Sequence, residues 1–157
     1  MPDIELLSLI KALEVHSVNY VVIGGMALLL NGAGIVTRDI DLSIAFDKDN
    51  LAHLAAALNE FEPRLRNGVR VNLDLHAFGG EFTTIYTNAG IIQIVNRLNG
   101  FKTFADLTAQ TTTMTIHGVN VKVANLDALY LMKASTGRDK DKLHLELIQS
   151  LKKRQQP

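Results

Sequence analysis

Apolar residues recur along this chain in two rhythms, and the switches between them mark out its elements. Ile4, Leu6, Leu7, Ile10 and Leu13 follow helical spacing and predict a first helix from about Asp3 to His16, covering the strand that follows it. That strand is the continuous apolar run Tyr20 to Ile23, and Met26 to Leu30 reads as a short helix, so Gly24 and Gly25 fall at the strand-to-helix turn. Asp39 to Ala45 alternates polar and apolar residues and predicts a strand with Ile40 and Leu42 facing the core. Asp47 is placed to cap a helix whose buried stripe is Leu51, Leu54, Leu58 and Phe61.

Three strand-like stretches come next, Val69 to His76, Phe82 to Thr87 and Gly90 to Leu98, and the glycine-bearing breaks between them predict antiparallel pairing. A short helix near Phe104 to Ala109 precedes a hairpin of Thr113 to Ile116 and Val119 to Val123, turned at His117-Gly118. Asn125 caps a helix from Leu126 to Ala134, and a last helix from about Asp139 to Lys153 is expected to bury Leu143, Leu147 and Leu151. No repeat or linker divides the chain, which reads as a single domain over residues 1–157.

Two of these segments carry chemistry. A helix N-terminus offers unpaired N–H groups to an anion, so the Gly24-Gly25 turn suits a phosphate. Fourteen residues after Gly25, Asp39 and Asp41 share one face of an extended segment, with Cα atoms roughly 6.5 to 7 Å apart. Two carboxylates on one face suit magnesium, a hard cation that often divides its coordination between carboxylates, water and substrate phosphates. The alternative is an edge strand with a solvated polar face.

Taken together, Val21-Val22-Ile23-Gly24-Gly25-Met26-Ala27 and Thr37-Arg38-Asp39-Ile40-Asp41-Leu42 resemble the nucleotidyltransferase fold of the DNA polymerase beta superfamily. The resemblance continues through Val121 to Leu129, Met132-Lys133-Ala134 and Gly137-Arg138-Asp139-Lys140-Asp141, and so spans most of the chain. It is similar to the small branch that includes AbiE-type toxins and minimal nucleotidyltransferases, many of them from toxin–antitoxin or phage-defence loci. The resemblance implies an α+β fold, a mixed β-sheet flanked by helices with further helices at the C-terminal end. It also implies a nucleoside triphosphate bound at Gly24, Gly25, Arg38, Lys133 and Arg138, with Asp39, Asp41 and Lys133 as catalytic residues and Asp39 and Asp41 holding magnesium. The acceptor is left open among RNA, a protein hydroxyl and a small molecule, and a cognate protein partner is in keeping with such loci.

The chain departs from the family at one position. A third carboxylate normally arrives from a later strand, in a Gly-x-x-Asp pattern followed by apolar residues. Here the matching segment is Gly90-Ile91-Ile92-Gln93-Ile94-Val95, which puts an uncharged amide in its place. An amide is a weaker magnesium ligand than a carboxylate and takes up no proton near pH 7. Asp74, in Val71-Asn72-Leu73-Asp74-Leu75, is the other candidate for the third position. A catalytically degenerate nucleotide-binding partner and a purely structural interaction module therefore stand beside the enzyme reading.

Other residues admit plainer roles. Arg38 alternates to the side opposite Asp39, and Lys133 suits the negative end of its helix as well as it suits a phosphate. Arg138 and Lys140 are unfavourably placed cations at a helix start, which hints at an anion, whereas Asp141 favours that end. The five histidines lie in different elements without metal-ligand spacing. Sixteen basic residues balance sixteen acidic ones, so the net field draws in neither nucleic acid nor an acidic membrane. The absence of cysteine excludes disulfides, thiolate metal sites and thiol catalysis. No stretch reaches the roughly twenty apolar residues of a membrane span, and the N-terminus lacks the basic start of a signal peptide. Cytoplasmic residence is the expectation.

Overall fold

In a computed structural model, residues 3–155 are described, apart from the side chain of Lys140. The described residues form six helices and six strands, in the order α1 (Ile4–Val15), β1 (Tyr20–Ile23), α2 (Gly24–Leu30), β2 (Ile40–Ile44), α3 (Lys48–Asn59), β3 (Phe82–Thr87), β4 (Gly90–Val95), α4 (Phe104–Thr108), β5 (Thr111–Ile116), β6 (Val119–Ala124), α5 (Leu126–Ala134) and α6 (Lys140–Gln155). The strands form one mixed sheet in the order β3-β4-β2-β1-β6-β5. β1 runs antiparallel to β2 and parallel to β6, β2 runs parallel to β4, and β3 and β5 add antiparallel edges. This is the α+β architecture expected, a mixed sheet flanked by helices with two helices closing the chain.

The central strands are short and almost wholly apolar on their buried rows. All four residues of β1 are buried, as are Ile40, Leu42 and Ile44 of β2 and Ile92 and Ile94 of β4. With period-two alternation, burying Ile40 and Leu42 obliges Asp41 to emerge on the opposite face of the sheet. The helix starts follow side-chain capping: Asp47 accepts from the Asn50 N–H at 2.9 Å, and Asn125 accepts from the Ala128 N–H at 2.9 Å. Asn50 is itself buried. Its amide donates to the carbonyls of Asn19 and Ala45 and accepts from the Asn19 N–H, so α3 pins the start of β1 and the end of β2.

Several expectations are corrected. Val69 to His76 is not a strand but a loop, joined to its surroundings by an isolated Arg64–Arg70 bridge and by side chains such as Asn59, which bonds both backbone groups of Leu73. Antiparallel pairing therefore holds for β3 with β4, whereas β4 meets β2 in parallel. The metal-bearing strand begins at Ile40, leaving Asp39 at the end of the irregular segment 33–39. β4 ends at Val95 rather than Leu98. Of the stripe expected on α6, Leu151 is buried, but Leu143 is 72% exposed and Ile148 takes the buried position. A helical stripe drifts around its axis, and only the C-terminal half of α6 lies against the core. No helix among the described residues is long and apolar enough to cross a membrane.

Candidate functional site

The parallel pairing of β2 with β4 sets Asp41 directly beside Gln93, on adjacent strands and on one face. The two side chains line a polar cleft of about 690 Å³, together with Phe82, Arg97, Thr136 and Arg138 among others. One wall is the sheet; the other is the junction between α5 and α6. Asp74 is elsewhere. It lines a separate cavity between the 63–77 loop and β3, and its carboxylate accepts from the His76 N–H at 2.8 Å. Gln93, not Asp74, therefore occupies the position beside Asp41.

Gly24 opens α2 with φ +68°, a left-handed conformation that glycine adopts without cost. A Cβ built there would lie 2.6 Å from Asp41 Oδ2, so the carboxylate packs directly on the glycine backbone. Gly25 lacks the positive φ, and its nearest neighbour is the Thr37 hydroxyl. The steric demand thus falls on the first glycine of the pair.

The electrostatics are uneven. Burial raises the Asp41 carboxyl above its ordinary range, and the neighbouring charge of Asp39 adds to the rise, while Lys133 acts in the opposite direction. Across the cleft, Asp141 is 2% exposed. Burial alone would raise its carboxyl, but hydrogen bonds from Thr136, Lys133 and Arg138 outweigh that and hold it well below the usual carboxylate range. Lys133 Nζ donates to Asp141 Oδ1 at 3.1 Å, and Arg138 Nε donates to Oδ2 at 2.9 Å.

Asp41 and Gln93 both line the cleft, and the charge of Asp39 acts on Asp41, so the oxygen donors on this side are two carboxylates and one amide, a chemistry that hard divalent cations accept. Among the described residues no group of three His, Cys, Asp or Glu side chains is arranged to hold a metal ion.

Three solved structures have the same architecture. TM1012 of Thermotoga maritima, described as a candidate nucleotidyltransferase, superposes with a TM-score of 0.60 at 20% identity over 90% of this chain and 88% of its own. The lincosamide antibiotic adenylyltransferase LnuA gives 0.61 at 14% identity, covering 94% and 96%. A nucleotidyltransferase-like antigen of Paracoccidioides brasiliensis gives 0.56 at 21% identity, covering 96% and 77%.

This chain has the nucleotidyltransferase fold.

At these identities the likeness establishes the fold and not the reaction. No family model matches the sequence. Nor does the sequence of any curated protein. Within the fold, Asp41, Gln93 and Arg138 line one cleft, Gly24 touches Asp41, and the charges of Asp39 and Lys133 act on Asp41. Arg38 is exposed in the segment before β2 and does not line the cleft. The Lys140 side chain lies outside the described residues.

Sequence reasoning passed over Arg97, which lines the cleft with Gln93 and Val95, as well as Phe82, Glu81, Asn99, Ser135 and Thr136. For Arg97 a signal existed, since it continues the period-two row 93, 95, 97. Ser135 and Thr136 sit between the two cations that were singled out.

Proposed function

We propose that this chain binds a nucleoside triphosphate with magnesium and transfers a nucleotidyl group to an acceptor hydroxyl, releasing pyrophosphate. The observation that carries the reading is a cleft in which Asp41, seated on Gly24, shares the lining with Arg97 and Arg138, while the charges of Asp39 and Lys133 act on Asp41. Asp39 and Asp41 would hold the ion, which neutralises charge on the phosphates when bound. Lys133 and Arg138 would bind triphosphate oxygens, and the N–H groups at Gly24-Gly25 would meet the same anion. Arg38, exposed and outside the cleft lining, would have to swing toward the phosphates to bind them.

Gln93 favours a second reading. An amide at the third position neither carries charge nor takes the proton of an attacking hydroxyl. On that reading the chain is a degenerate nucleotide binder that regulates a partner protein. Either version fits a cytoplasmic member of the AbiE-toxin-like branch, in a toxin–antitoxin or phage-defence setting.

Calorimetric titration of ATP, CTP, GTP and UTP, with and without magnesium, tests the first step. Transfer of an α-phosphate label to RNA, protein or small polyol acceptors tests the second. Absence of magnesium-dependent binding to all four would leave a structural interaction module. Binding without transfer would select the degenerate binder.

A further inference from the structure

Asp141 is the most deeply buried ionised side chain near the cleft, and it does not line it. Its two oxygens are divided between the elements around it. Oδ1 accepts from Lys133 on α5, while Oδ2 accepts from Arg138 Nε and from the Thr136 hydroxyl at 2.5 Å, both on the α5–α6 connection. Thr136 also donates to the Lys133 carbonyl in a shared geometry that ties the connection to the end of α5.

How the donors are used matters as much as the bonds. Arg138 spends only Nε on the carboxylate, so both terminal amino groups keep their protons for another acceptor, and its side chain is 53% exposed at the cleft. Lys133 commits one of three ammonium protons, and its charge is still felt by Asp41. Free in solvent, two long cationic side chains would each lose rotamer freedom on gripping an anion.

We propose that Asp141 is a positioning residue, which fixes Lys133 and Arg138 from behind so that their remaining donors face a triphosphate in the cleft. The inference rests on the reading that this cleft holds a triphosphate. It assigns Asp141 no contact with substrate. Its effect is pre-organisation: the ordering of Lys133 and Arg138 is already complete when the anion arrives.

The test is a double-mutant cycle read by magnesium-dependent triphosphate affinity, with ATP, CTP, GTP and UTP each used as the probe. Asp141→Asn should weaken binding by about ten- to a hundredfold, the range expected for losing charge-assisted hydrogen bonds. In a background carrying Lys133→Ala and Arg138→Ala, the same substitution should change affinity less than about twofold, because no cation remains to position. A purely structural carboxylate would act equally in both backgrounds, and that result would overturn the proposal. Binding by the parent with unchanged affinity in Asp141→Asn would overturn it while leaving the triphosphate reading intact. A parent that binds none of the four removes both.

If Asp141→Asn does not fold, Thr136→Val carries the test, since it removes one donor to Asp141 without altering charge. The Arg138 Nε–H resonance should be slow to exchange in the parent and faster in Thr136→Val, with a matching loss of affinity. A protected resonance and parental affinity in that variant would overturn the proposal.

Discussion

Asp41 carries a charge that the fold disfavours, because burial and the Asp39 carboxylate both raise its pKa. The sign of the resulting pH dependence follows. Below the ordinary aspartate range both folded and unfolded chains hold the proton and no penalty exists. As pH rises through the raised folded pKa, the penalty appears in full. Asp41→Asn in metal-free protein is therefore expected to melt at or above the parent temperature at pH 7, and the difference should vanish near pH 4. The same variant, like Asp39→Asn, should lose magnesium-dependent triphosphate binding in calorimetry. A folded variant that bound as tightly as the parent would remove the carboxylates from the site. Gln93 lies in register with Asp41, so Gln93→Asp would add a third anion to the same patch. Metal-free stability should fall, and magnesium should bind more tightly and restore it. If instead the parent transfers label rapidly and Gln93→Asp does not raise the rate, the site is not degenerate. Gly24→Ala combines a left-handed backbone with a methyl group driven toward the Asp41 carboxylate. It should cost about 1–2 kcal/mol in denaturant unfolding, more than the same change at Gly25.

At the scale of elements, the junction of α5 and α6 combines apolar burial of Leu129, Ile148 and Leu151 with ion pairs. Lys152 pairs with Asp127 and Lys133 with Asp141 between the two helices, while the first turns of α6 leave Leu143 exposed. Asp141 has a folded pKa held low, so the stability it contributes is present above the ordinary aspartate range and is lost as pH falls toward the folded value. Acid titration monitored by circular dichroism should show the parent losing stability progressively below about pH 4. Asp141→Ala should flatten that part of the profile while lowering stability at pH 7 by about 1–3 kcal/mol. Parallel profiles for the two proteins would mean that the carboxylate is not ionised in the fold. The β2–β4 pair is the other arrangement that shapes the cleft. Its parallel register, set by Ile40 opposite Ile92 and Leu42 opposite Ile94, brings Gln93 to Asp41. A slip by one residue would turn Gln93 into the core.

For the whole molecule, a ligand that bridges the sheet to the C-terminal helices should stabilise the fold by mass action. At a hundredfold excess over its dissociation constant, a triphosphate with magnesium contributes about 2.7 kcal/mol, which is about 5–10 °C in the melting temperature of a chain this size. The shift should vanish in Asp39→Asn and Asp41→Asn, and its presence there would place the ligand elsewhere. Much of this architecture was legible from pattern alone. β1, β3 and α5 have the predicted limits, and capping by Asp47 and Asn125 was readable because a cap is a local event needing only a side chain and the next turn. The Gly-Gly turn and the Asp-x-Asp pair were likewise local, and the order in which they occur pointed to the fold. Val69 to His76 looked like a strand because alternation there is real, yet β3 pairs its outer edge with the chain only around Arg64, and the alternating residues instead pack beside it as a loop. Leu143 looked buried because helical spacing says which residues share a stripe and not how far along the helix the core extends. Whether Gln93 or Asp74 stands beside Asp41, and that Asp141 gathers Lys133 and Arg138, depended on strand order and on the crossing of α5 with α6. Those are contacts between residues far apart in sequence, and only tertiary packing chooses among them.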